Sequence, residues 1–121
     1  MTQYIAWFDH LNMRDVASVG GKNASLGEMI SRLSQAGVNV PNGFATTTLA
    51  YREFLQANGL VERINGLLAG LNVDDINALT AAGKAIRGWV LDAVMPDAIQ
   101  AAIAQAYETL AADSGGDISF A

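Results

Sequence analysis

Cysteine is absent from this chain. A disulfide framework, a thiolate metal site and a nucleophilic cysteine are therefore excluded, and the composition fits a reducing compartment, with the cytoplasm as the expected location. Histidine is nearly absent: His10 is the single one, and it is expected to be structural or solvated for want of an orienting partner. Positive charge is scarce. Seven Lys and Arg face 12 Asp and Glu, a net charge of −5, which argues against a nucleic-acid surface, since that would need a basic patch. Any recognition of phosphate must then be local. Long apolar runs are missing too. None approaches the ~18 residues of a membrane span, and the Tyr4–Phe8 run has no basic leader and stops at Asp9, so neither a transmembrane helix nor a signal peptide is expected. What the chain does have is apolar material, 51% of 121 residues, enough for the core of one globular domain.

The most informative stretch runs from Ser18 to Met29 and reads Ser-Val-Gly-Gly-Lys-Asn-Ala-Ser-Leu-Gly-Glu-Met. Gly20 and Gly21 permit backbone conformations closed to residues with a Cβ, and they stand just before a helical pattern. Such a turn leaves free N–H groups at the positive end of a helix dipole, and Lys22 adds a full charge beside them. This is an anion site in outline, and phosphate is the expected anion. A tight turn followed by a solvated lysine is the plainer alternative. The stretch is not a Walker A loop, because Val16 stands where that motif needs glycine and Asn23 where it needs Ser or Thr. Nor is it a dinucleotide fingerprint, whose second glycine would fall on Lys22.

Around this stretch the chain divides into short elements. Tyr4-Ile5-Ala6-Trp7-Phe8 reads as an opening strand, closed by Asp9 to Asn12. From about Asn23 to Ala36, Leu26, Met29, Ile30 and Leu33 recur at helical spacing, and Gly37 supplies the stop. Ser25 with Glu28 fits a capping box, which would start the helix later and leave Lys22 in the preceding loop. Glu28 is then a first-turn carboxylate favoured by the dipole. Pro41-Asn42-Gly43 is a turn triplet, Phe44-Ala45-Thr46 a strand, and Thr46 to Thr48 a hydroxyl run suited to a strand end and an N-cap.

The remainder reads as helical. Tyr51, Phe54 and Leu55 form one apolar face ended by Asn58-Gly59; Leu60, Val61, Ile64, Leu67 and Leu68 form another ended by Gly70. Asp74 or Asp75 caps a longer helix carrying Leu79, Ile86, Trp89, Val90 and Ala93, which Met95-Pro96 interrupts. Pro96 suits the first turn of a last helix with Ile99, Ala102, Ile103, Ala106, Tyr107 and Leu110 on its face. The two long helices suit an antiparallel hairpin. After a loop from Ala112 to Asp117, Ile118-Ser119-Phe120-Ala121 alternates like the first half of a strand, and the expectation is that the natural polypeptide continues. The Asp74-Asp75 pair reads as a cap rather than a catalytic dyad, and Trp7, Phe8 and Trp89 as core rather than base-stacking surfaces. No metal cluster is visible.

The run from Gly20 to Met29, followed by Val40-Pro41-Asn42-Gly43-Phe44-Ala45-Thr46-Thr47, resembles the start of the phosphoenolpyruvate synthase (pyruvate, water dikinase) family. The likeness holds in register over nearly the whole chain and is strongest from Val19 to Leu55. It implies an α+β fold, a mainly helical part of an ATP-grasp-like nucleotide-binding domain with a few short strands. It also implies ATP and Mg²⁺ as cofactors, pyruvate as a substrate bound through later domains, and a place in gluconeogenesis. Lys22, Gly20 and Gly21 are the residues it points to for ATP phosphate. The phosphorylated histidine, the metal-binding carboxylates and an Arg-Ser-Ser segment belong to later sequence in that family. Residues 1–121 are thus read as one truncated domain, inactive alone. Two alternatives stay open: another dikinase-like phosphotransferase, either pyruvate phosphate dikinase or rifamycin phosphotransferase, and a non-catalytic helical interaction module. A homo-oligomer stays open as well.

Overall fold

Strand-forming residues open the chain as β1 (Ile5–Trp7), which pairs antiparallel with β2 (Phe44–Thr46) in the register Ile5↔Thr46, Ala6↔Ala45 and Trp7↔Phe44. The computed structural model describes residues 3–114. The strand pattern at Ile118–Ala121 lies outside the described residues. Between the strands come 3₁₀ turns at Phe8–His10 and Met13–Asp15, then the helices α1 (Val16–Val19) and α2 (Gly21–Gln35). After β2 the chain is helical: α3 (Thr48–Ala57), α4 (Leu60–Ala69), α5 (Ile76–Asp92) and α6 (Asp97–Ser114). The fold is mostly helical with a small two-stranded sheet, in line with the expected α+β class.

Two compact units divide the chain. Met1–Tyr51 with Asp97–Ala121 forms the first and Arg52–Pro96 the second. The long helices expected to pair as a hairpin, α5 and α6, are therefore divided between the units.

In the first unit the core is built from small and medium side chains: Ala6, Leu11, Val19 and Ala24 pack together, with Phe8 against them. Close approach follows from the sequence. A Cβ on Gly27 would lie 2.5 Å from the Leu11 Cβ, so only glycine lets α2 sit against the segment that follows the first 3₁₀ turn. Asn12 and Asp15 form a capping box around the second 3₁₀ turn, each side chain accepting from the other's end of it. The Thr46–Thr48 run is structural, as expected. Thr47 is buried; its hydroxyl donates to the Gln3 carbonyl at 2.7 Å and accepts from the Ala50 N–H at 3.2 Å, which caps α3. Thr48 donates to the Ala17 carbonyl at 3.0 Å. Along α6, Ile99 and Ala106 are buried, whereas Tyr107 is 40% exposed and does not join the apolar face. That helix runs through Ser114, past the start of the expected loop.

In the second unit, Gly59 at φ +65° separates α3 from α4. Asn58 then reaches across the unit. Its Nδ2 donates to the Phe54 carbonyl and to the Val94 carbonyl, both at 2.9 Å, and its Oδ1 accepts from the Val94 N–H at 3.0 Å. Asp75 is the N-cap of α5, accepting from the Ala78 N–H at 3.2 Å. The helix ends at Asp92, before Met95-Pro96, because Ala93 is already extended at φ −72° and ψ 154°, and Val94 is hydrogen-bonded to Asn58. Leu79 is 46% exposed, so the apolar face read along α5 is only partly buried.

Candidate functional site

Gly20 joins two helices with one residue. Its N–H donates to the Val16 carbonyl at 2.8 Å and closes α1, while its own carbonyl accepts from the Ala24 N–H at 3.1 Å and opens α2. To serve both ends it takes φ 85° and ψ 164°, a region only glycine enters without strain. This replaces the capping-box start at Ser25. The helix begins at Gly21, Ser25 lies in its second turn, and Glu28 lies past the first turn altogether. Glu28 instead pairs with Arg32, Nε to Oε1 at 3.1 Å, and accepts from the Met13 N–H at 3.4 Å. Lys22 is consequently a first-turn helical residue rather than a loop residue.

Because the first helical bond is donated by Ala24, the N–H groups of Gly21, Lys22 and Asn23 have no acceptor within the helix. Gly20 has no side chain to cap them. The first turn carries no acidic residue that would neutralise the dipole, and among the described residues Lys22 makes no ion pair. Lys22 and Gly21 are both exposed, and a Cβ on Gly21 would meet nothing within 4 Å. Asn23 turns away from this opening, its Nδ2 donating to the Val19 carbonyl at 2.9 Å, which braces the turn from behind. Gly20, Gly21 and Lys22 are thus brought together at one open, positively polarised helix end, chemically suited to an anion. The bracing role of Asn23 was not read from sequence; its position four residues after Val19, at a helix start, is the signal that points to it.

The other candidates take ordinary places. The His10 side chain is 79% exposed, with Nε2 3.4 Å from Asp9 Oδ1, so the partner missing from the sequence reading is its own neighbour. Asp75 acts as a cap while Asp74 donates its N–H to Asn72 Oδ1. Trp7 lies tilted against Phe44 with centroids 5.4 Å apart, and Arg63 stacks over Trp89 at 4.0 Å. Among the described residues no three His, Asp or Glu side chains gather in a way that could hold a metal ion. Among the described residues no helix is long and apolar enough to cross a membrane.

A mixed helix-and-sheet chain with a glycine junction at an open helix end is consistent with a nucleotide-binding domain, and comparison with known proteins gives the family. Residues 16–121 match the model of the pyruvate phosphate dikinase AMP/ATP-binding domain, and the chain belongs to that family. Its relatives include proteins named phosphoenolpyruvate synthase. That of Neisseria meningitidis serogroup B is 56% identical over 119 residues, covering 98% of this chain and 15% of the relative. That of Deinococcus radiodurans is 57% identical over 106 residues, 88% of this chain and 14% of the relative. In Escherichia coli K12 the identity is 49% over 109 residues, 90% of this chain and 14% of the relative. The chain therefore spans about 15% of the length of these curated relatives.

Proposed function

We propose that this chain is the N-terminal ATP-binding part of a phosphoenolpyruvate synthase. Such an enzyme converts pyruvate, ATP and water to phosphoenolpyruvate, AMP and phosphate through a phosphohistidine carried on a later domain. The observation that carries the reading is the first turn of α2: three N–H groups without helical acceptors, Gly20 in a glycine-only conformation and an exposed Lys22 with no ion pair among the described residues. In this proposal the N–H groups of Gly21 to Asn23 donate to ATP phosphate oxygens, Gly20 and Gly21 allow close approach, and Lys22 offsets the phosphate charge. The names of the relatives favour the synthase over pyruvate phosphate dikinase, the enzyme from which the family takes its name.

The same reading places the chain within an ATP-grasp-like domain of a cytoplasmic enzyme of gluconeogenesis. Mg²⁺ belongs to that reaction, but the described residues offer no ligand set for it, and no step is derived through the ion. Pyruvate and the reacting histidine are assigned to later domains, so these 121 residues contribute binding and not turnover.

The test is ATP-dependent thermal stabilisation of the wild-type chain beside Lys22→Ala. Ligand that binds only the folded state raises the melting temperature with concentration. The expected result is a dose-dependent rise that needs at least about tenfold more ATP in the variant, since a charge-assisted hydrogen bond contributes about 1.5–3 kcal/mol. An identical response from both proteins would remove Lys22 from the site.

A further inference from the structure

The chain contains three Asn-Gly pairs, Asn42-Gly43, Asn58-Gly59 and Asn65-Gly66. In such a pair the glycine nitrogen can reach the asparagine Cγ, because no Cβ shields it. The attack needs a glycine N–H that is not hydrogen-bonded, an asparagine backbone able to leave the helical conformation, and a side-chain amide free to depart.

The structure separates the three pairs on these grounds. Asn65-Gly66 lies inside α4, where the Gly66 N–H belongs to the helix ladder. The Gly59 N–H donates to the Gln56 carbonyl at 3.1 Å, and the Asn58 amide is held by the Phe54 carbonyl and by the Val94 N–H and carbonyl. Asn42-Gly43 has none of this protection. It sits in the non-helical segment between α2 and β2, Asn42 is exposed, and among the described residues neither the Gly43 N–H nor the Asn42 Nδ2 has a partner. One contact favours reaction. The Asp9 N–H donates to Asn42 Oδ1 at 3.2 Å, polarising the Cγ carbonyl as an oxyanion donor does.

We propose that Asn42 is a built-in site of spontaneous deamidation. The Gly43 nitrogen loses its proton to solvent and bonds to Cγ, the Cγ–Nδ2 bond breaks, and ammonia leaves. Water then opens the resulting succinimide at either carbonyl, giving aspartate or isoaspartate; one water is consumed for each ammonia released. Either product sets a new carboxylate beside Asp9. Isoaspartate also adds a methylene to the backbone next to the Gly43 carbonyl, which accepts from the Phe8 N–H at 2.9 Å. Packing keeps the hazard in place. A Cβ at Gly43 would lie 2.8 Å from the Phe8 ring, so replacing the glycine with a slower-reacting residue is sterically obstructed.

The experiment is peptide mass mapping of the 121-residue chain after incubation in mildly alkaline buffer, folded and in guanidinium, with Asn42→Gln in parallel. In guanidinium all three Asn-Gly peptides should convert at similar rates. In buffer the Asn42 peptide should carry most of the converted product, split between aspartate and isoaspartate, and Asn42→Gln should lose most of the acidic species. Conversion of the Asn58 or Asn65 peptide as fast as the Asn42 peptide in buffer would overturn the proposal, and so would an acidic species that persists undiminished in Asn42→Gln.

Discussion

Glycines show most clearly how single residues set this structure, because the same added methyl meets backbone strain at one, a steric clash at another and open space at a third. At Gly20 the backbone sits at φ 85° and ψ 164°, so Gly20→Ala should cost about 1–3 kcal/mol, read as a lowered denaturation midpoint. At Gly27 the conformation is helical, but the methyl would collide with Leu11, so Gly27→Ala should lose about 1–3 kcal/mol through overpacking. At Gly21 nothing lies within 4 Å. Gly21→Ala should therefore leave the fold unharmed or stabilise it by up to about 1 kcal/mol through helix propensity. If ATP phosphate approaches that position, the same variant should bind ATP more weakly. A stabilised protein with impaired binding would separate the site from the fold, whereas unchanged affinity would place the ligand elsewhere. Lys22→Ala is the companion change, with a stability effect expected within about 0.5 kcal/mol because the side chain is exposed and has no ion pair among the described residues.

Elements were legible where side-chain spacing alone decides them. The strands at Ile5–Trp7 and Phe44–Thr46 and the helices α3, α4 and α5 fall close to where apolar periodicity, glycine stops and the Asp75 cap place them. The candidate turn was legible as a glycine pair with a lysine before a helix, but its geometry was not. Ser25 and Glu28 satisfy a capping-box pattern as well as any pair does, and only the bond from the Ala24 N–H to the Gly20 carbonyl shows that the helix has already begun. The short turns from Phe8 to Val19 were missed for a related reason: each is too short to carry an apolar period, and the Met13–Asp15 turn is fixed by local side-chain bonds of Asn12 and Asp15. Asn58 is a third case, since its partner Val94 is distant in sequence. Asn58→Ala would leave the Val94 N–H and carbonyl without that partner and should destabilise the second unit by about 1–3 kcal/mol. Faster amide exchange at Val94 and through the end of α5 is the readout; unchanged exchange there would show that the clamp contributes little.

For the molecule as a whole, the division into two units places one tryptophan in each, Trp7 in the first and Trp89 in the second. Single-tryptophan variants, Trp89→Phe and Trp7→Phe, therefore report the units separately during denaturation. In an Asn58→Ala background the Trp89 signal should shift to lower denaturant more than the Trp7 signal, and equal shifts would mean that the units unfold as one. Amide NMR shows directly where ATP lands on this molecule. The chain is titrated with ATP and Mg²⁺ beside Lys22→Ala at matched ionic strength. If phosphate binds at the first turn of α2, shifts centre on Gly20 to Ala24 and are lost or strongly weakened in the variant. Shifts centred on another surface, or shifts at Gly20 to Ala24 that survive unchanged in Lys22→Ala, would contradict binding there.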